Sequence, residues 1–443
     1  MGVPGMIQGF SKLSREDQAR LLASFTDEPS GIENELSLHR LADREKQDTY
    51  DGFSENTLSN FFLPYSVAPN FRINDRYYIV PMVTEESSVV AAAASAAKFW
   101  LERGGFHTRI RAMYKPGHIH FTWKGSHAEI AALIDRLIPG FHEVTSSLTR
   151  NMRARGGGIE GIRLIDMSDK LEGYHQIEVI FNTAESMGAN FINSCLESMA
   201  SFLRVQVDIA GLSDRLTIIM AILSNYTPRC LVECSVSCHP RKLANLQYGL
   251  KGIDFARKFE TAVNLAQCDV SRAVTHNKGI YNGIDAVVIA TGNDFRAVEA
   301  DGHAYASRDG IYRGLTRVEL ASQLFACRLE VPLNLGTIGG LTRSHPMVRV
   351  SMKILGNPDV AELMSVASAA GLASNFSAIK ELITGGIQRG HMLLHLSNLL
   401  QQLSATAEEK TAAMNFFREH LITHNAVEGF LMNLRSKSRI SEK

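Results

Sequence analysis

Apolar and polar residues change their period along the chain, and the changes mark its elements. Alternation with period two over GIRLIDM, HQIEVIFN, DRLTIIMAIL and CLVECSV predicts four strands. A helical period over ANFINSCLESMASFLR and over 127–138 predicts amphipathic helices between them. Before them, residues 1–109 read as helix, loop, short strands and a long alanine-rich helix at SSVVAAAASAAKFWLERGG, whose small side chains suit close packing. Residues 110–125, IRAMYKPGHIHFTWKG, read as a hairpin. Residues 240–380 return to helices and glycine-rich loops, and Gly385–Gly386 reads as a hinge before a charged helical end. The order predicts an α+β fold in four segments: 1–109, an inserted unit over 110–221, 222–385, and a helical appendage over 386–443.

Composition narrows the classes. At 443 residues the chain exceeds one compact core. Lys+Arg and Asp+Glu balance at 46 each, which gives no sign of a nucleic-acid or membrane-surface partner. No apolar run reaches the roughly 18 residues that span a bilayer, and the N-terminus lacks the layout of a secretory signal. A cytoplasmic protein is expected. Three of the six cysteines fall in RCLVECSVSCH, on one face of a predicted strand and spread over about 27 Å, so packed thiols rather than a metal are expected.

Several stretches carry possible chemistry, each beside a plainer reading. MGAN follows a strand and opens a helix, so Gly188, Ala189 and Asn190 offer backbone N–H groups to an anion or simply cap the helix. Arg150, Arg153 and Arg155 precede three glycines, as in a phosphate-facing loop or a solvated one. Glu86 precedes the alanine-rich helix, where an acid also meets the helix dipole. His391 and His395 stand four residues apart behind a glycine-rich turn, open to a lid acid, a structural histidine or a metal ligand. GTIGGLTRSHP is uninformative alone. THNKGIYNGIDAVVIATGNDFRAVEADGHAYA sets Lys278 and Asp294 among glycines and asparagines, where a lone ammonium and a lone carboxylate need an explanation.

Six blocks together resemble one family: THNKGIYNGIDAVVIATGNDFRAVEA, ESMGANFINSCLE, VPMVTEESSVVAAAAS, ILSNYTPRCLV, GTIGGLTRSHP and GIQRGHMLLHLSN. They are similar to the soluble, bacterial-type (class II) 3-hydroxy-3-methylglutaryl-coenzyme A reductases. That resemblance implies a large mixed domain, an inserted ferredoxin-like dinucleotide domain and a C-terminal flap. It implies two-hydride reduction of the thioester to mevalonate with release of coenzyme A, in the pathway to isoprenoids. The degradative direction and a catalytically silent paralogue that only binds ligand are its alternatives.

By the same resemblance Glu86, Lys278, Asp294 and His391 are the catalytic set, with Glu86 and Asp294 as partners of Lys278. Ser88, Arg272, Asn282 and Asn225 meet the hydroxymethylglutaryl portion, and Met187, Gly188, Ala189, Asn190 and Asn193 the dinucleotide. The glycines and asparagines of 275–306 would then shape backbone around the thioester. Family members that prefer NADH resemble one another in an acid shortly before the glycine run. Here Thr149 stands there, followed by Arg150, Arg153 and Arg155, which implies NADPH over NADH, Arg150 and Arg153 being the assigned contacts. The family builds its sites between subunits, so a homodimer or larger closed oligomer is implied. No metal is expected. The sequence departs from the family at Ser59, where ENVIG reads ENTLS, and at Ser87, where EEPS reads EESS.

Overall fold

The computed structural model describes residues 5, 7–244, 249–384, 396, 397, 399–417, 420 and 422–441, with backbone alone for 437–441. Three short helices come first: α1 (Arg15–Ala23), α2 (Pro29–Leu38) and α3 (Arg44–Asp51). A hairpin follows, β1 (Tyr65–Ile73) and β2 (Arg76–Val83), turning at Asn74 and Asp75. Their φ values of 46° and 65° are ones that Asn and Asp tolerate. The alanine-rich helix α4 (Val89–Leu101) packs on this ribbon through Ala93, Ala96, Ala97 and Trp100, all buried.

Residues 110–125 are not a hairpin. They belong to a single strand, β3 (His107–Trp123), in which Pro116 and Gly117 sit in mid-ladder opposite Ile180 and Val179. Gly117 has a packing role: a side chain there would come within 2.6 Å of Leu196, so glycine admits a helix against the strand.

Around the second half of β3 the chain builds a unit that holds a four-stranded antiparallel sheet. Its further members are α5 (His127–Val144), α6 (Ser146–Arg153), β4 (Gly158–Asp166), β5 (Tyr174–Asn182), α7 (Ala189–Ile209) and β6 (Leu216–Leu223). The strands lie in the order β4-β5-β3-β6, and α5 and α7 cover one face with their own apolar core. The first half of β3 instead pairs with β7 (Cys230–Cys238), the start of a second sheet region. One strand therefore joins the two units covalently and by hydrogen bonds.

The second region contains α8 (Gly252–Cys268), α9 (Val270–Ala290), α10 (Phe295–Ala306), β8 (Thr316–Leu320), β9 (Phe325–Pro332), α11 (Leu341–Ser344), α12 (Pro346–Ile354) and α13 (Val360–Ile383). The ladder runs β3-β7-β9-β8. Cys230 and Cys234 point inward from β7 as packed, free thiols, and burial pushes Cys230 up to about 11. Stretch 275–306, read above as glycine-shaped backbone around a ligand, is mostly helix. Gly283 lets α9 and α13 touch: a Cβ there would lie 2.2 Å from the Ala370 carbonyl oxygen. The helices at Ala407–Phe416 and His424–Ser441 share a separate apolar cluster with Leu396, Leu399 and Leu400. The glycine pair 385–386 lies outside the described residues. No helix among the described residues is long and apolar enough to cross a membrane.

Candidate functional site

A cleft opens where the start of α4, the middle of α9 and the end of α13 meet. Asp269 caps α9 by accepting from the Ser271 N–H, at 2.9 Å. On the helix face turned inward, His276 meets the Thr316 hydroxyl at 2.5 Å, and Asn277 binds the Arg313 carbonyl and the Leu315 N–H. Those bonds fix the rotation of α9, and one residue later Lys278 emerges on its open side, 58% exposed. Its Nζ lies 2.5 Å from Glu86 Oε2. Burial holds the His276 imidazole neutral, pushed down to about 3.

Glu86, Ser88, Asn282, Gly279, Ser377 and Glu381 line the cleft. Ser88 caps α4 with φ at 77°, a left-handed conformation rare for serine. Its hydroxyl is shielded and has no partner among the described residues. A strained cap with an unpaired hydroxyl beside the Lys278–Glu86 pair marks a place for a polar ligand. Arg272 is on α9 too, six residues before Lys278, half-buried and outside this lining. Burial lowers its pKa.

Asp294 is elsewhere. Its carboxylate caps α10, accepting from the Arg296 and Ala297 N–H groups at 3.1 and 3.2 Å, and faces the Arg296 guanidinium at 3.3 Å. From Lys278 to the end of α9 is about 18 Å of helix, so this carboxylate does not meet that ammonium within one chain.

Asp294 instead stands next to a second cleft. Met187, Gly188, Ala189 and Asn190 line it on one side, and Asn293 and Gly336 on the other. Gly188, with φ at 89°, caps α7 and leaves the first N–H groups of a 21-residue helix facing the opening. GTIGG forms the opposite wall: Ile338 pairs with Ser186, Gly336 N–H donates to Asn293 Oδ1 at 2.8 Å, and a Cβ on Gly336 would lie 2.4 Å from the Met187 nitrogen. Glu185 fastens this wall, accepting from Thr337 at 2.7 Å and from the Val360 N–H at 2.9 Å. The spacing of glycines in GTIGG carried no hint of this pairing.

Nor did sequence reasoning find Lys115. From β3 its side chain, 3% exposed, runs beneath the second cleft and donates to Thr183 Oγ1, Ser186 O and Met187 O at 2.6, 2.9 and 3.2 Å. These acceptors use all three ammonium hydrogens, while burial pulls its pKa down. A lysine in an alternating strand has no signature that tells a buried one from an exposed one.

Of the remaining expected residues, Asn193 is engaged structurally, its Oδ1 accepting from the Leu223 N–H at 2.9 Å. Asn225 is exposed in the turn after β6. Arg150 and Arg153 are exposed on the last turn of α6, with Arg153 donating to the Ser146 carbonyl at 3.0 Å, and Arg155 follows in the loop. His391 and His395 lie outside the described residues.

Residues 20–396 match the family model for hydroxymethylglutaryl-coenzyme A reductase. The chain is 35% identical to the 3-hydroxy-3-methylglutaryl-coenzyme A reductase of Archaeoglobus fulgidus over 91% of its length and 88% of that protein's. It is 32% identical to the probable enzyme of Borreliella burgdorferi over 79% of its own length and 78% of that protein's. Among solved structures it resembles the Streptococcus pneumoniae reductase, with a TM-score of 0.71 and 33% identity over 96% of this chain and 99% of that one. A class II structure from the same organism, bound to NADPH in open conformations, aligns with a TM-score of 0.70 and 34% identity over 85% of this chain and 99% of that one.

Proposed function

The chain belongs to the hydroxymethylglutaryl-coenzyme A reductase family, and we propose that it reduces the hydroxymethylglutaryl-coenzyme A thioester to mevalonate with NADPH as preferred reductant. The observation that carries the reading is the Lys278–Glu86 contact of 2.5 Å in a cleft shared with Ser88 and Asn282. The second cleft suits a dinucleotide, because the free N–H groups at the start of α7 stand at it above the cation of Lys115, and Gly336 lets the opposite wall close on Met187. Met187, Ala189 and Asn190 would hold the dinucleotide there, and two molecules bound in turn would each supply one hydride.

Lys278 is aimed at the oxygen on which charge develops as the thioester carbonyl is attacked. Glu86 holds the ammonium; the final alkoxide takes a proton from Lys278, and a proton taken up through Glu86 restores the ammonium. Ser88, with its free hydroxyl, and Asn282 hold the hydroxymethylglutaryl portion; Arg272 and Asn225 join them on the strength of resemblance. His391 protonates the departing thiolate, again by resemblance. Asp294 completes the charge set from a second copy of the chain, a reading supported by its distance from Lys278 along α9.

Residues 110–221 are the inserted ferredoxin-like coenzyme unit, supported by its β-α-β-β-α-β order and β4-β5-β3-β6 sheet. Residues 1–109 and 222–385 form the large domain around it. Residues 386–443 are the flap, supported by a separate apolar cluster. The enzyme works in the cytoplasm.

The test is steady-state turnover at 340 nm with both coenzymes in both directions, together with mixed oligomers. Lys278→Ala and Asp294→Asn should each be inactive, and co-expression of the two should restore part of the activity. Turnover absent from the unaltered protein would overturn the function. Mixed oligomers as inactive as their parents would overturn the shared site.

A further inference from the structure

At the end of the small sheet remote from the coenzyme turn, three side chains converge. His127 opens α5, Asp166 closes β4 and His175 follows the first residue of β5. Their ligating atoms all lie within 4.8 Å of one another. His127 Nδ1 stands 3.5 Å from Asp166 Oδ2, and His175 Nε2 stands 3.6 Å from Asp166 Oδ1. Both gaps exceed hydrogen-bond length. Donors bound at 2.0–2.1 Å to one tetrahedral ion stand about 3.4 Å apart, so groups within 4.8 Å of one another need only draw in slightly around an ion.

His175 gives an independent sign. Its side chain is 3% exposed, and its Nε2 is buried with no partner among the described residues. Nδ1 lies 3.0 Å from the Gly173 carbonyl oxygen, which can only accept, so Nδ1 carries the proton and Nε2 keeps a bare lone pair. A histidine held by a carbonyl through one nitrogen and open at the other is the arrangement of a metal ligand with its supporting shell. Asp166 is oriented too: Oδ1 accepts from the Ser168 N–H at 2.9 Å. The imidazoles of His127 and His175 stack with centroids 5.5 Å apart.

We propose that His127, Asp166 and His175 bind one divalent ion of the zinc class, with water in the remaining position. The ion would fasten the start of α5 to the ends of two strands. β5 carries His175 about 23 Å from Asn182, so the ion takes no part in the reduction.

The experiment uses tag-free, full-length protein stripped with chelator and titrated with Zn²⁺ and, separately, Co²⁺. One equivalent per chain is expected, with a raised thermal midpoint and the visible bands of tetrahedral Co²⁺. Asp166→Asn and His127→Gln alter partly exposed side chains and should keep wild-type turnover while weakening Zn²⁺ binding by about 100-fold or more. Failure of the wild-type chain to take up a stoichiometric ion would overturn the proposal, water then bridging the three groups. Wild-type affinity in both variants would also overturn it, placing the ion elsewhere, as at His391 and His395.

Discussion

The two clefts are each built over a buried base, and they use it differently. Under the α9 cleft, His276 is neutral and bonded to one hydroxyl; its work is to fix the helix so that Lys278 and Glu86 meet in the open. Under the α7 cleft, Lys115 itself supplies the bonds that hold the turn, three of them, and its charge sits beneath backbone that would face phosphate. The first cleft acts through exposed side chains and the second through backbone. Chemistry in the first should therefore be destroyed by one substitution, while binding in the second should degrade by steps.

The largest effect expected is at Lys278. Replacing it with alanine removes the side-chain cation that Glu86 holds at the first cleft, and should cost on the order of 10²–10³ in kcat, or more. Thermal unfolding should hardly move, because the ammonium is exposed. Near-normal turnover by Lys278→Ala would end the assignment.

Next is the buried imidazole beneath that cleft. His276 has a folded pKa pushed down to about 3 against an ordinary 6.5. Below pH 6.5 the unfolded chain takes up a proton that the folded chain refuses, so stability present above 6.5 is lost as pH falls toward 3. The loss is about 1.4 kcal/mol per pH unit inside that window, or roughly 2 kcal/mol at pH 5. Urea unfolding at pH 8, 6.5 and 5 should show the slope, and His276→Asn should flatten it. An unchanged slope in that variant would mean the acid sensitivity belongs to other groups.

The difference between the clefts also explains what was legible beforehand. Lys278, Glu86, Ser88 and Asn282 declare themselves as residue types within blocks resembling a known family, and the structure brings these four to one cleft. Alternation found β4, β5, β6 and β7 because a sheet with one buried face imprints its period directly. The hairpin expected over 110–125 is one strand, and Gly117 within it serves the packing of Leu196. Of the glycines of α9, Gly279 does line the first cleft, whereas Gly283 serves helix contact with Ala370, a tertiary demand with no local period. Lys115 and the Glu185 anchor were illegible because burial of a polar side chain is decided by elements distant in sequence.

A third prediction sharpens the contrast from the other side. Lys115→Met should leave three acceptors of the turn without their donor and remove the charge beneath it. The expected outcome is a rise of roughly tenfold in KM for NADPH, about 1.4 kcal/mol, with a smaller change in kcat and little change in KM for the thioester. Lys115→Arg, which keeps charge but not shape, should recover part of the loss. A fall in kcat alone, with KM unmoved, would make Lys115 part of the chemistry rather than of the coenzyme turn.

The smallest effect is expected where contact is most exposed. Arg150 and Arg153 project from the last turn of α6, and Gly157 in the loop beyond packs within 2.4 Å (as a built Cβ) of the Asn182 carbonyl, just before the coenzyme turn. That placement suits a 2′-phosphate held by solvated guanidinium groups, which are screened and individually weak. Arg150→Ala should lower kcat/KM for NADPH several-fold, by about 1 kcal/mol or less, and leave NADH untouched; the loss should shrink as salt rises. Equal losses on both coenzymes would show that α6 supports the fold of the turn and does not read the phosphate. The second cleft would then discriminate its ligand through backbone alone.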